Sequence, residues 1–255
     1  MSDVATTTPD PGAFAAAADA LRHARRVVAL SGAGISRESG LPTFRETQTG
    51  LWARFRPEEL ATPDAFARDP GLVWRWYAWR RRLVADAAPN AAHYALVTLA
   101  RHIPHFTLVT QNIDGLHQRA GSDDVIELHG AIRNTRCAAC DRAAPAAPLP
   151  DDEPPRCACG GLFRPDVVWF GEMLPPAALA RASEEALSCD VFLAIGTSGI
   201  VYPAAGLAAS AFRTGAAVIS INPDPAAAPP GAVQLSGSAG CVLPALVAAA
   251  WAAPS

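Results

Sequence analysis

Lysine does not occur in this chain of 255 residues: all 21 residues of the Lys/Arg class are arginine. With the heavy use of alanine and proline, this reads as codon usage in a GC-rich genome and carries no functional argument. Other absences exclude more. No apolar run approaches the roughly 18 residues needed to cross a bilayer, so no membrane partner is expected. No basic stripe stands out and the formal charge is −3, which argues against nucleic acid as a partner. The first twenty residues lack the basic-then-apolar pattern of a secretory leader, and residues 1–13 read as a flexible tail. The expected location is the cytoplasm. No internal repeat is visible. What is present is 50% hydrophobic and only 18% charged, enough for one large domain with a smaller one inserted.

Four short, β-branched-rich apolar runs end in small or polar residues and read as buried parallel strands: Arg26–Ser31, Thr107–Thr110, Val191–Gly196 and Ala217–Asn222. Ala-rich helical stretches separate them, at Phe14–Arg25, Ala91–His102, Pro176–Leu187 and Ala204–Arg213. Alternating strand and helix predicts an α/β fold with a doubly wound, Rossmann-like parallel sheet, whose ligands bind beyond the carboxyl ends of the strands. Two stretches break the alternation. Residues 51–83 are rich in arginine and tryptophan, with helical patches separated by Pro57, Pro63 and Pro70. Residues 131–164 carry four cysteines and too little apolar content to build a core unaided. The expected division is a large domain (14–50, 84–130 and 165–250) and a smaller lobe made of the helical insertion 51–83 and the cysteine module 131–164.

Four motifs carry chemistry. In Val27-Val28-Ala29-Leu30-Ser31-Gly32-Ala33-Gly34-Ile35-Ser36 a strand runs into a glycine turn that lets backbone approach a pyrophosphate. The third glycine of the dinucleotide fingerprint is missing, so an ordinary tight turn explains the motif equally well. In Thr110-Gln111-Asn112-Ile113-Asp114-Gly115-Leu116-His117, polar groups at the end of a buried strand need a ligand or a helix to cap. Taken alone, Asp114 serves as an N-cap about as readily as a binding group. In Glu127-Leu128-His129-Gly130 a histidine sits at a strand end, where a neutral imidazole suits general-base work. A structural histidine is the commoner role for such a residue. Cys137-Ala138-Ala139-Cys140 and Cys157-Ala158-Cys159 form two knuckles whose four thiolates can close a tetrahedral zinc site with no open position, hence a structural metal. A reducing location disfavours the alternative, disulfides. Cys189 and Cys241 are expected to be buried bystanders.

The set Gly32-Ala33-Gly34-Ile35-Ser36, Gln111-Asn112-Ile113-Asp114, His129-Gly130, the cysteine quartet and Gly196-Thr197-Ser198 resembles a sirtuin in order and content, from about Phe14 to Leu246. That resemblance implies NAD as a co-substrate and zinc as a structural metal. It implies that Gly32, Ala33, Gly34 and Ser36 hold the pyrophosphate region, with Phe44 and Arg45 closing over the nicotinamide end. Gln111, Asn112, Ile113 and Asp114 would hold the nicotinamide and its ribose. Gly196, Thr197, Ser198, Asn222, Pro223, Asp224 and Ala239 would line the adenosine side. The family reaction joins the acyl oxygen of a modified lysine to the ribose carbon that bore nicotinamide. His129 acts as the base, with Asn112 and Asp114 positioning the reacting end; the products are nicotinamide, free lysine and O-acyl-ADP-ribose. Val168, Trp169, Phe170, Gly171 and Glu172 would offer an edge to which the substrate peptide adds as a strand. The segment Glu46–Leu51 is one residue longer than the resemblance leads one to expect.

On the helix Leu72–Arg82, Tyr77 and Arg80 are three apart and share a face, and a guanidinium fork with a phenol is a receptor for a carboxylate. A solvated arginine run beside a tryptophan core is the plainer reading. The pair, together with Ala61, resembles the class III sirtuins, which implies succinyl- or malonyl-lysine as substrate, glutaryl in reach and acetyl as a side activity. The expected partners are acylated proteins, and the sequence is compatible with a monomer. Alternatives are a plain deacetylase, a mono-ADP-ribosyltransferase using the same NAD chemistry, or a non-catalytic binding module with a nucleotide and zinc.

Overall fold

The structure is a computed structural model and describes residues 9–42, 55–145 and 149–251. The first half of the chain runs α1 (Pro11–His23), β1 (Arg26–Ser31), a 3-10 turn (Ala33–Ser39), α2 (Pro57–Leu60), α3 (Pro63–Arg68), α4 (Pro70–Asp86), α5 (Ala91–His102) and β2 (His105–Thr110). It continues through α6 (Leu116–Ala120), β3 (Ile126–Glu127), β4 (Gly130–Cys137), β5 (Phe163–Val167), α7 (Pro176–Ser188), β6 (Val191–Ile195), α8 (Gly206–Arg213), β7 (Ala217–Ile221), β8 (Val233–Leu235) and α9 (Ala239–Ala250). The prolines of the helical insertion sit at helix starts, where a missing N–H does no harm. Asp69 accepts the Leu72 N–H at 2.8 Å and Thr62 the Ala65 N–H at 3.1 Å, so each break in the pattern is also a capped beginning.

Six strands form one parallel sheet in the order β3-β2-β1-β6-β7-β8, and β4 and β5 pair antiparallel outside it. This is the doubly wound α/β class that the alternation predicts. Alternate side chains of each strand feed opposite faces. Val27, Ala29, Leu108 and Leu193 pack with α1, α5 and α9 on one face. Val28, Leu30, Val109 and Phe192 pack with α7 and α8 on the other. A third cluster joins Leu60, Phe66, Trp76 and Tyr77 of the helical insertion to Ile132, Val167 and Trp169. A fourth sets Trp74 against Cys137, Cys157 and Phe163.

Two histidines are buried under the sheet end. His93 Nδ1 accepts the Asn90 N–H at 3.2 Å, and His117 Nε2 meets the Ser31 hydroxyl at 2.8 Å. Their rings lie 4.9 Å apart, while His93 Nε2 and His117 Nδ1 are buried with no hydrogen-bond partner among the described residues. Burial pushes His93 down to about 4 and His117, with His93 beside it, down to about 3. Both are neutral in the folded protein at pH values where the unfolded chain takes up protons. Stability is therefore intact above pH 6.5 and falls as the pH drops toward the folded-state values, by about 2 kcal/mol per histidine at pH 5. Thermal unfolding followed between pH 7 and pH 5 should show a steep loss of Tm, flattened in His117→Asn. An equal slope in that variant would show that this pair does not govern acid sensitivity.

Candidate active site

Strand register pairs Ser31 with Thr110 on one side and with Ile195 on the other, so the loops after β1, β2 and β6 leave the sheet side by side. Between β1 and β6 the strand order reverses, which in open α/β sheets is where a crevice forms. The two loops there run in contact. Gly32 N–H donates to Ile195 O and Gly34 N–H to Gly196 O, each at 2.9 Å. A Cβ on Gly34 would lie 2.7 Å from Gly196 O, and one on Gly196, whose φ is +58°, would lie 2.5 Å from Ile35 N. These glycines thus answer a need inside the protein before any ligand arrives.

The Asn112 amide donates to Gly32 O and to Ser36 Oγ, each at 3.2 Å, and the Ser36 hydroxyl donates to Asp114 Oδ2 at 2.7 Å. Asp114 Oδ1 accepts the Leu116 N–H at 2.9 Å. Asp114 is therefore both a helix cap and a partner of the serine in the glycine loop. Burial raises its pKa, opposed by those two hydrogen bonds and by Arg80 and Arg119. On the far side, Thr197 accepts from the Gln111 amide on its hydroxyl (3.0 Å) and from the Asn222 amide on its carbonyl (2.8 Å). Ser198 follows, half-buried; Pro223 and Asp224 are exposed, and Ala239 is buried at the start of α9. Glu38 binds that helix start, accepting from the Gly240 N–H at 2.6 Å and the Ser238 hydroxyl at 3.0 Å.

His129 lies just past β3. Its Nδ1 is 2.7 Å from Gln111 O, and a carbonyl can only accept, so the proton sits on Nδ1 and Nε2 carries the lone pair. Nε2 has no hydrogen-bond partner among the described residues, and the residue is half-buried. Burial lowers the ring's pKa, partly offset by the Gln111 contact, which favours the unprotonated form. Next to Gln111, the residues Asn112, Ile113 and Asp114 line a crevice together with Ala33, Ser36 and Arg80. Burial lowers the Arg80 pKa while Tyr77 and Asp114 support the charge. Tyr77 is buried and its hydroxyl accepts the Trp169 indole N–H at 3.0 Å; burial pushes it up to about 12. Ala61 is buried in the same cluster. Phe44, Arg45 and the segment Glu46–Leu51 lie outside the described residues.

The thiols of Cys137, Cys140, Cys157 and Cys159 all lie within 4.8 Å of one another, with sulfur separations of 3.5, 3.8 and 3.4 Å for three of the pairs. A tetrahedron of Zn–S bonds of about 2.3 Å requires sulfurs ~3.8 Å apart, so the quartet fits that ion. The Ala139 N–H donates toward Cys137 Sγ at 3.4 Å, which favours the thiolate there.

The Sir2 family model matches residues 32–203. NAD-dependent protein deacylase 1 of Pseudomonas aeruginosa is 51% identical over 92% of this chain and 98% of its own length. NAD-dependent protein deacylase 2 of Pyrobaculum aerophilum is 53% identical over 90% and 93%. The chain belongs to the Sir2 family. Among solved structures, a Sir2 homolog–NAD complex superposes with a TM-score of 0.85 at 48% identity, covering 91% of this chain and 92% of that one. Sir2Af2 bound to a myristoylated histone peptide gives 0.76 at 36% identity, covering 94% and 97%.

Within this Sir2 fold, the structure corrects one expectation from the sequence, a buried Cys241, and adds detail to two others. Most backbone donors of Val168–Glu172 are already engaged within the protein. Val168 N–H donates to His129 O, Phe170 N–H to Ala61 O and Glu172 N–H to Trp169 O, and Trp169 N–H to the Glu172 carboxylate, which leaves Gly171 N–H without a partner among the described residues. Trp169 is buried at 2% exposure beneath the Arg164 guanidinium, which also binds Glu172 twice, so the tryptophan belongs to the core. Cys241 is exposed, because the first turn of α9 presents it to solvent; Cys189 is buried as expected. The arginine run is split, with Arg80 on the crevice and Arg82 exposed and paired with Asp151 at 2.5 Å. Leu83 and Val84 also line the crevice; their helical spacing from Tyr77 and Arg80 was the available signal. Ile200, Val201 and Tyr202 stand exposed beyond the end of β6, and the sequence offers no local cue for them.

Metal removal tests the quartet. Because ligand binding is also folding energy, chelation should remove several kcal/mol and lower the Tm by about 10 °C. An unchanged melting curve for chelated, metal-free protein would exclude a structural metal here.

Proposed function

We propose that this chain is an NAD-dependent protein-lysine deacylase that transfers the acyl group of a modified lysine to ADP-ribose with release of nicotinamide. The observation that carries the reading is His129, with Nδ1 tied to the carbonyl of Gln111, the residue before the Asn112–Asp114 wall of the crevice, and Nε2 left as a free base. A binding module would have no use for such a base. Bound NAD supplies a ribose carbon with a leaving group, which the acyl oxygen can attack without an activated water. His129 accepts the proton released as a ribose hydroxyl is engaged. Asn112 and Asp114, locked through Ser36, orient the nicotinamide end; Gly32, Ala33 and Gly34 hold the pyrophosphate; Gly196, Thr197, Ser198, Asn222 and Asp224 bound the adenosine side. Cys137, Cys140, Cys157 and Cys159 would hold zinc as a structural ion, since four thiolates leave no open position for substrate. The names and bound molecules of the relatives support this reading. A reducing, NAD-rich cytoplasm is the matching location.

We further propose acidic acyl groups, succinyl and malonyl before glutaryl, as preferred over acetyl. Arg80 supports this: a half-buried cation on the crevice wall attracts a carboxylate more strongly than a solvated one does. Tyr77 stands beside it with a hydroxyl proton still to donate, since its oxygen accepts from Trp169. The peptide itself meets the exposed Phe170 and Gly171, where few backbone donors are free, so selectivity resides mainly in the acyl group.

Incubation with NAD and a panel of acetyl, succinyl and malonyl peptides should release nicotinamide when an acyl peptide is present. Label transferred to protein would indicate an ADP-ribosyltransferase, and silence a binder. His129→Ala should abolish turnover with the melting temperature preserved. Because burial lowers its pKa, the acid limb of kcat/KM should fall with a midpoint below 6.5; a midpoint above that value would remove His129 as the base. Tyr77→Phe combined with Arg80→Met should cut desuccinylation about a hundredfold, the order of two hydrogen bonds to a carboxylate, and deacetylation far less. Equal losses would return Arg80 to a structural role.

A further inference from the structure

Arg81 follows Arg80 on α4, about 100° further around the helix, and turns from the crevice toward β4. Its Nε donates to Ile132 O at 3.0 Å and its Nη2 to Thr135 Oγ1 at 3.0 Å. Its guanidinium carbon lies 4.9 Å from the centroid of the Trp74 ring, two turns back on the same helix. Ile132 in turn donates its own N–H to Ile113 O at 2.9 Å. The two polar groups of one β4 residue therefore reach α4 on one side and the Gln111–Asp114 segment on the other. Both partners are crevice walls: Arg80, Leu83 and Val84 from α4, Asn112, Ile113 and Asp114 from the segment after β2.

The neighbouring arginines are held differently. Arg75 and Arg82 make surface pairs with Glu153 and Asp151, of the kind that contributes little. Arg81 is half-buried and burial lowers its pKa, so its charge stands where solvation is poor and its fixed donors matter more. At the end of α4 a separate tie, Arg119 Nη1 to Val84 O at 2.9 Å, holds the last turn. Arg81 holds the middle of the helix, where the Tyr77–Arg80 turn lies.

We propose that Arg81 is a positioning residue for acyl selectivity. By clipping α4 to Ile132, it fixes the separation between the Tyr77–Arg80 turn and the Asn112–Asp114 wall, and with it the acyl chain that fits between them. The proposal rests on the reading of α4 as the acyl-recognising helix. Arg81→Met keeps an apolar stem against Trp74, removes both donors, and leaves the Ile132–Ile113 bond to hold the cofactor wall. Steady-state kinetics use full-length protein with one peptide sequence carrying either succinyl- or acetyl-lysine. The KM for the succinyl peptide should rise about tenfold, as for one charge-assisted hydrogen bond lost, while the KM for NAD and kcat/KM for the acetyl peptide stay within about twofold. Arg81→Lys, which keeps a donor, should recover part of the loss. Equal losses on both peptides would make Arg81 a general brace, and an unchanged succinyl KM would remove it from the site; either result overturns the proposal. If Arg81→Met does not fold, Thr135→Val removes one acceptor alone and should shift the succinyl KM in the same direction by less; no shift overturns the proposal. A wild type that does not distinguish the two peptides refutes the acidic-acyl reading before any variant is compared, and takes this inference with it.

Discussion

The loops leaving β1 and β6 lie so close that their backbones touch, and the other groups of the site are arranged around that contact. A Cβ at Gly32, Gly34 or Gly196 would meet backbone atoms of the opposite loop at 2.8 Å or less. The contact holds because Ser31 and Ile195 are in parallel register, which brings both chains out of the sheet at one height. Once the loops are flush, Asn112 can reach Gly32 O from the third strand end, and Gln111 and Asn222 can hold Thr197 from either side. Polar groups that would be expensive at the end of a buried strand thereby satisfy one another. The crevice is a by-product of strands that end together and loops that cannot separate.

The parallel sheet and its flanking helices were legible because their signals are local. Arg26–Ser31 and Ala91–His102 have the ends that their apolar runs and caps indicate, and the order of strand and helix sets the class. Legibility failed where an element depends on a distant partner. β3 spans two residues and exists because Val109 and Thr110 pair with it. The Val168–Glu172 turn reads as an edge until Ala61 O, His129 O and the Glu172 carboxylate take its donors, and nothing in five residues of sequence announces those acceptors. The arginines of α4 look alike in sequence, yet one lines the crevice, one clips to β4 and others pair at the surface. Their destinations are set by Ile132 O, Asp151 and Glu153, all more than fifty residues away.

Three histidines in this chain have their pKa lowered by burial, so titration alone does not set one apart. What separates His129 is that its unpartnered nitrogen is not among the buried ones. His93 and His117 keep their unpartnered nitrogens buried, sealed from any substrate. His129 has its inner nitrogen fixed by a carbonyl and its outer one unpartnered in a half-buried residue. A lowered pKa then serves different ends: acid lability for the buried pair, and an available lone pair at neutral pH for the third.

The helix α4 brings the cysteine module and the crevice under one constraint. Trp74 is buried among Cys137, Cys157 and Phe163, and its indole N–H donates to Pro150 O at 2.7 Å in the segment between the two knuckles. One turn further, Tyr77 supports Trp169, and the next turn brings Arg80 to the crevice. These residues sit on a single continuous helix packed on both sides, and such an element moves as a body if it moves at all. The tryptophan seated in the cysteine module and the arginine on the crevice wall share one backbone, so what stiffens the module also bears on the crevice.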